Sequence, residues 1–160
     1  MKNLMSLTRA TLCLFAAAIA VFSGNTAFAD AEADLLVSYD NTYATSVGGE
    51  DNAQVNAANA VASCNDINDR SGTGAGLRIV GYHQAAQNLY QTTSKGGFVG
   101  WMANYDSHMT DIVDAGNARG ADLVAFFCVS TSDGALAVAQ QPGRYSAFDP
   151  SGMWGPVLAH

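Results

Sequence analysis

The nine residues Ala121-Asp122-Leu123-Val124-Ala125-Phe126-Phe127-Cys128-Val129 carry one charge, near their start, and are otherwise unbroken by polar side chains. A run that apolar, too short for a globular helix and rich in aromatic and β-branched residues, predicts a strand covered on both faces. Such a strand needs layers of helix above and below it. Immediately before it, Phe98, Trp101, Met102, Tyr105, Met109, Ile112 and Val113 recur with helical spacing. They form one apolar stripe of the kind that packs on a core, which predicts a helix over 98–113 closed by Asn117-Ala118-Arg119-Gly120.

The same alternation extends upstream. Leu35-Leu36-Val37-Ser38-Tyr39 reads as a strand, Gly48-Gly49 punctuates, and acidic Glu50 and Asp51 suit a helix N-terminus. The helix that follows places Ala57, Ala60, Val61, Cys64 and Ile67 on one face and ends at Ser71-Gly72-Thr73-Gly74. Leu77 to Tyr82 reads as the next strand, and 88–97 as a polar loop. Strand, helix, strand, helix, strand implies right-handed crossovers and an α/β fold of two or three layers with a mostly parallel sheet. After Asp133-Gly134 the segments become short. Ala135 to Ala139, a turn at Gln140-Gln141-Pro142-Gly143, and Arg144 to Phe148 leave no room for a crossover helix. At least one of these pieces must run antiparallel, as an edge strand able to accept an extended peptide.

The N-terminus reads as an export signal. Lys2 and Arg9 supply the basic region, Thr11 to Phe22 the apolar one, and Ala27-Phe28-Ala29 the small-x-small pattern of a signal-peptidase site. The apolar stretch falls short of the roughly 20 residues needed to span a bilayer, so cleavage is expected after Ala29, with Ala31 as the second choice. Residues 30–160 then form a single secreted domain, extracellular or periplasmic, with no membrane attachment and monomeric. The chain carries a formal charge of −7, and loss of Lys2 and Arg9 makes it −9. With Arg70, Arg78, Lys95, Arg119 and Arg144 scattered, no basic stripe suits nucleic acid. Two cysteines remain, Cys64 and Cys128. In an oxidising compartment they are free to pair, and equally each suits a buried position as a small hydrophobe.

Familiar chemical patterns are few. Gly72-Thr73-Gly74-Ala75-Gly76 precedes a strand instead of opening a helix, which is the wrong order for a phosphate loop. His83 and His108 have no second ligand at helical spacing and read as surface or hydrogen-bonded histidines. The sequence offers no nucleophile elbow.

The order of elements nevertheless resembles a known family. Ala33-Asp34-Leu35-Leu36-Val37, Gly48-Gly49 ahead of a helix, Gly76-Leu77-Arg78-Ile79-Val80-Gly81 and Gly120-Ala121-Asp122-Leu123-Val124 are similar to the front half of the bacterial secreted reprolysin-like (adamalysin-type) zinc metallopeptidases, which are metzincins. The resemblance covers about residues 33 to 160. It implies that Val157-Leu158-Ala159-His160 begins the active-site helix, with His160 the first histidine of His-Glu-x-x-His-x-x-Gly-x-x-His. It also implies that Gly134, Ala135, Leu136, Ala137 and Val138 form the rim strand that holds a peptide or protein substrate. Pro156 suits the first turn of such a helix, and Pro150 to His160 reads as the start of a helix within which the chain is cut, so that the 160 residues are expected to be the front part of a longer protein. The general-base glutamate and two further histidines of the pattern are absent, so the 160 residues taken literally are expected not to hydrolyse peptides. Zn2+ enters only where the chain continues past His160. The alternative is a complete, non-catalytic secreted α/β module that binds a peptide or protein through its edge strand.

Overall fold

The computed structural model describes residues 31–89, 93–129 and 137–149. The leader, the residues Gly134, Ala135 and Leu136, and the segment ending in His160 lie outside the described residues. Five strands form one sheet: β1 (Ala31–Tyr39), β2 (Ala75–Gln84), β3 (Leu123–Phe127), β4 (Ala137–Ala139) and β5 (Tyr145–Phe148). Their order is β2-β1-β3-β5-β4. Strands β2, β1, β3 and β5 are mutually parallel, and β4 runs antiparallel to β5. This is the expected α/β class with an antiparallel strand at the edge.

Helices cover both faces, giving three layers. On one side lie α1 (Asn41–Ser46) and α2 (Glu50–Ser71). Tyr43, Ala53, Ala57 and Val61 pack there against Leu35, Val37, Tyr39, Ala125 and Phe127. On the other side lie α3 (Lys95–Ala103) and α4 (Thr110–Ala118). Phe98, Met102, Met109, Ile112 and Val113 pack there with Leu36, Val124, Phe126 and Cys128. The alternation along β1 and β3 thus sends successive side chains to opposite cores, as a strand buried on both faces requires. The α2 face is built of alanines, so the helix backbone lies close to the sheet.

Two expectations need correction, and one alternative left open is decided. The helix expected over 98–113 is two helices. The apolar stripe is real, with Phe98, Met102, Met109, Ile112 and Val113 buried. The backbone breaks between them because Tyr105 takes a left-handed conformation (φ 54°) and Asp106 accepts a hydrogen bond from the His108 N–H. Both ends of the break are closed by side chains and turns, a local alternative that short polar residues offer to a helix. The polar loop expected over 88–97 gives way to α3 at Lys95, because the Ser94 hydroxyl accepts from the Gly97 N–H as a helix cap and Leu89 is buried. The pairing of Cys64 with Cys128 is not formed: both are buried free thiols. Cys64 belongs to α2 on one face and Cys128 to the α3/α4 core on the other, so the sheet stands between them.

Helix α1 had no forecast in the sequence. Its signal is Asp40, whose carboxylate accepts the Tyr43 N–H at 2.8 Å and caps the first turn. Gly48 (φ 92°) and Gly49 (φ 123°) then turn the chain into α2 through conformations open to glycine.

Candidate functional site: the β4 edge

A sheet has two edges, and here they differ. At the β2 edge, the Asn65 side chain of α2 donates to the Leu77 carbonyl (2.9 Å) and accepts from the Leu77 N–H (2.8 Å). Ala31 donates to the Gly74 carbonyl, so in the parallel ladder the even residues of β2 near its start face β1 and Leu77 faces outward. The amide of Asn65 therefore stands where another strand would pair.

The β4 edge carries no such cover among the described residues, and its geometry follows from the ladder. Gln140 donates its N–H to the Tyr145 carbonyl at 3.0 Å, and Val138 lies opposite Ala147. In an antiparallel pair hydrogen-bonded and non-hydrogen-bonded positions alternate, so Val138 faces Ala147 with both backbone groups. Ala137 and Ala139 consequently aim their N–H and C=O groups away from β5. The other side of β5 agrees: Val124 donates to the Arg144 carbonyl and Cys128 to that of Phe148, which leaves Tyr145 and Ala147 facing β4. Side chains alternate as well, with Val138 packed against the α3/α4 core and Ala137 against the opposite one.

Strand β4 is three residues long, pairs with β5 and packs against α3. Strand β5 is held at both ends. At its start, Arg144 donates to Asn117 Oδ1 (2.8 Å) and to the Ala121 carbonyl (2.6 Å), and its guanidinium lies 5.5 Å from the Tyr145 ring centroid. Gly116 of α4 makes room for this, since a Cβ there would stand 3.0 Å from Val124 Cγ2 and 3.4 Å from Arg144 Nη2. At its end, Asp149 pairs with Lys95 Nζ at 3.7 Å, both side chains being buried. The Gln140 to Tyr145 connection contains a cis peptide bond at Gln141-Pro142.

The remaining residues considered from the sequence are engaged structurally. His83, at the end of β2, meets Asp111 Oδ2 at 3.1 Å, and the same oxygen accepts from the Ala86 N–H. His108 stacks on Trp101 with ring centroids 4.5 Å apart and bonds Asp106 through Nδ1. The backbone N–H and side chain of His108 hold the Asp106 carboxyl below its ordinary range. Gly72 and Gly74 both take left-handed conformations and lead into β2, as a helix stop and strand entry. Among the described residues no group of three or more His, Cys, Asp or Glu side chains could hold a metal ion. No helix among them is long and apolar enough to cross a membrane.

Two buried groups at the carboxyl end of β1 are perturbed by their surroundings. Burial pushes the Tyr43 hydroxyl up to about 12, against a smaller opposing hydrogen bond from Asn56. Burial also raises the Asp40 carboxyl, opposed by backbone N–H groups of Tyr43, Leu89 and Thr42. Asp40 thereby joins α1 to the segment after β2. Sequence reasoning missed this residue, as it missed Lys95 and Asp149, because each gains its meaning from partners distant in the chain.

Comparison with known proteins is sparse. No family model matches the sequence, and no curated protein does. Among solved structures the chain is similar to one described as a chaperone-substrate complex, with a TM-score of 0.62 and 18% identity over 75% of this chain. The matched part is 23% of that chain's length. This likeness extends to the fold alone.

Proposed function

We propose that this chain is the N-terminal, peptide-gripping part of a secreted zinc-dependent metalloendopeptidase of the reprolysin-like type. The observation that carries the reading is the β4 edge: a short antiparallel strand whose Ala137 and Ala139 backbone groups face outward, at the opposite side of the sheet from the β2 edge, where Asn65 caps Leu77. A peptide in extended form would add there as a further strand. Its backbone would gain hydrogen bonds from Ala137 and Ala139, as strand addition at sheet edges requires. From the rim strand proposed on the sequence, Ala137 and Val138 fall in β4, while Gly134, Ala135 and Leu136 lie outside the described residues.

The described residues do not fit a zinc site. His83 and His108 are each engaged by one aspartate and lack further ligands, and His160 lies outside the described residues. A catalytic zinc takes three protein ligands and a water. On the peptidase reading, hydrolysis would need a glutamate and two further histidines of the resembled pattern, and no hydrolytic step is assigned to the described side chains. The second reading, a non-catalytic secreted module that binds an extended peptide, draws on the same edge. Likeness to a structure of a chaperone-substrate complex is in keeping with a peptide or protein partner.

One experiment separates them. The protein as exported by its host is incubated with an internally quenched extended peptide, with and without a zinc chelator. Cleavage abolished by the chelator supports the peptidase. Saturable binding without cleavage supports the module. Absence of both binding and cleavage sinks the edge as a peptide site altogether.

A further inference from the structure

Lys95 and Asp149, which hold the end of β5, form a buried ion pair next to the β4 edge. Lys95 is the first residue of α3 and is fully buried, and Asp149 directly follows the last residue of β5. Burying a lysine and an aspartate is costly, because desolvation offsets most of their attraction, so such a pair is a poor source of stability. Its use lies in geometry: a charge buried beside its partner tolerates few alternative arrangements, whereas an apolar contact slides.

The place of the pair in the fold says what it fixes. Phe148, beside Asp149, lies opposite Ala137 in the β4–β5 ladder, and its carbonyl accepts from the Cys128 N–H at 2.7 Å. Helix α3 packs against both β5 and β4. Behind Lys95, Phe98 meets Phe126 edge-to-face at 5.2 Å, which seats α3 on the sheet. A displacement of the end of β5 along α3 would carry Ala137 with it and turn the outward N–H and C=O groups away from their aim. Because side chains and backbone groups alternate with period two, even one residue of slip would invert the edge.

We infer that Lys95 and Asp149 are positioning residues for peptide binding, setting the register and direction of the β4 edge from beneath. The inference rests on the reading of β4 as a peptide-receiving edge. It is tested by replacing both charges with apolar side chains of similar volume, Lys95→Met with Asp149→Leu, so that neither charge is left buried alone. The full chain, wild type and variant, is titrated with a fluorescein-labelled (Val-Thr)3 peptide, and melting is followed in parallel. The expected result is a cooperative melt close to that of the wild type together with at least about tenfold weaker peptide binding, a loss in affinity without a loss of fold. Wild-type affinity in the double variant overturns the inference. Failure of the wild type to bind the peptide overturns instead the reading beneath it. Should the double variant not fold, Asp149→Glu, which keeps the charge and lengthens the side chain, supplies the measurement. Weaker binding by a folded Asp149→Glu protein supports the inference, and unchanged binding refutes it.

Discussion

Removing the Asn65 side chain should expose how the β2 edge is closed. Its amide makes two hydrogen bonds to one residue, accepting from the Leu77 N–H at 2.8 Å and donating to the Leu77 carbonyl at 2.9 Å, in a partly buried position. A net intramolecular hydrogen bond contributes about 0.5–1.5 kcal/mol, so Asn65→Ala should cost about 1–3 kcal/mol, the lower part of that range applying where water reaches Leu77. The aspartate variant sharpens the test. Ionised, Asn65→Asp retains an acceptor for the Leu77 N–H but sets a second oxygen against the Leu77 carbonyl, with no proton between them. At neutral pH it should therefore be no more stable than Asn65→Ala. It should recover relative to alanine as pH falls and the carboxyl gains a proton to donate. Urea denaturation of the three proteins at about pH 7 and about pH 4 measures this directly, with stability taken from the midpoint and slope. Sedimentation should also show the alanine variant self-associating, since an open strand edge templates pairing. An Asn65→Ala protein within about 0.5 kcal/mol of wild type, and equally monomeric, would refute the reasoning, because that is the range of an uninvolved surface change.

The backbone register of the opposite edge predicts a contrast between neighbours. Val138→Pro removes a donor to the Ala147 carbonyl and should destabilise the fold by about 1–3 kcal/mol or more, whereas Ala139→Pro, whose N–H faces outward, should cost within about 1 kcal/mol while weakening peptide binding. Equal destabilisation by both would contradict the register. Burial raises the folded-state pKa of Asp40 above its ordinary value of 3.8, so the folded chain holds this proton more tightly than the unfolded one. The resulting contribution is fully present below the unfolded value and is lost as pH rises through the folded one. The stability of wild type relative to Asp40→Asn should then fall from about pH 4 upward and level once Asp40 is ionised, as read from melting temperatures. A difference growing with pH would show that the backbone N–H groups outweigh burial. Cys64 and Cys128 should each react with a thiol reagent only after denaturation, in protein never exposed to reductant; one or no reactive thiol would place them in a bond that the intervening sheet excludes.

What could be read from the sequence was whatever a single segment decides by itself. The Leu123 to Phe127 strand, the alanine face of α2 and the antiparallel edge after Gly134 all follow from local pattern, and so does the class of fold. Helices α3 and α4 were legible as a core stripe but not as two helices, because the break depends on Tyr105 adopting a left-handed conformation and on the Asp106 to His108 turn. The bulge in β2, where the register against β1 shifts between Leu35 and Leu36, has no local mark either. For the candidate site, Ala137 and Val138 were legible as part of an edge strand, but which backbone groups face outward depends on the register against β5. The supports beneath it, Lys95 with Asp149 and Arg144 with Ala121, join residues far apart in the chain, and no periodicity in one segment announces a partner in another.

Backbone amide exchange at β4, measured with and without the (Val-Thr)3 peptide, tests the edge most directly. In the free chain the Val138 amide, bonded toward Ala147, should be protected, and the Ala137 and Ala139 amides should exchange faster. With peptide bound, exchange at Ala139 should slow by about tenfold or more while the Asn65-capped Leu77 amide is unchanged. Peptide that binds with no added protection at Ala137 or Ala139 would contradict the account.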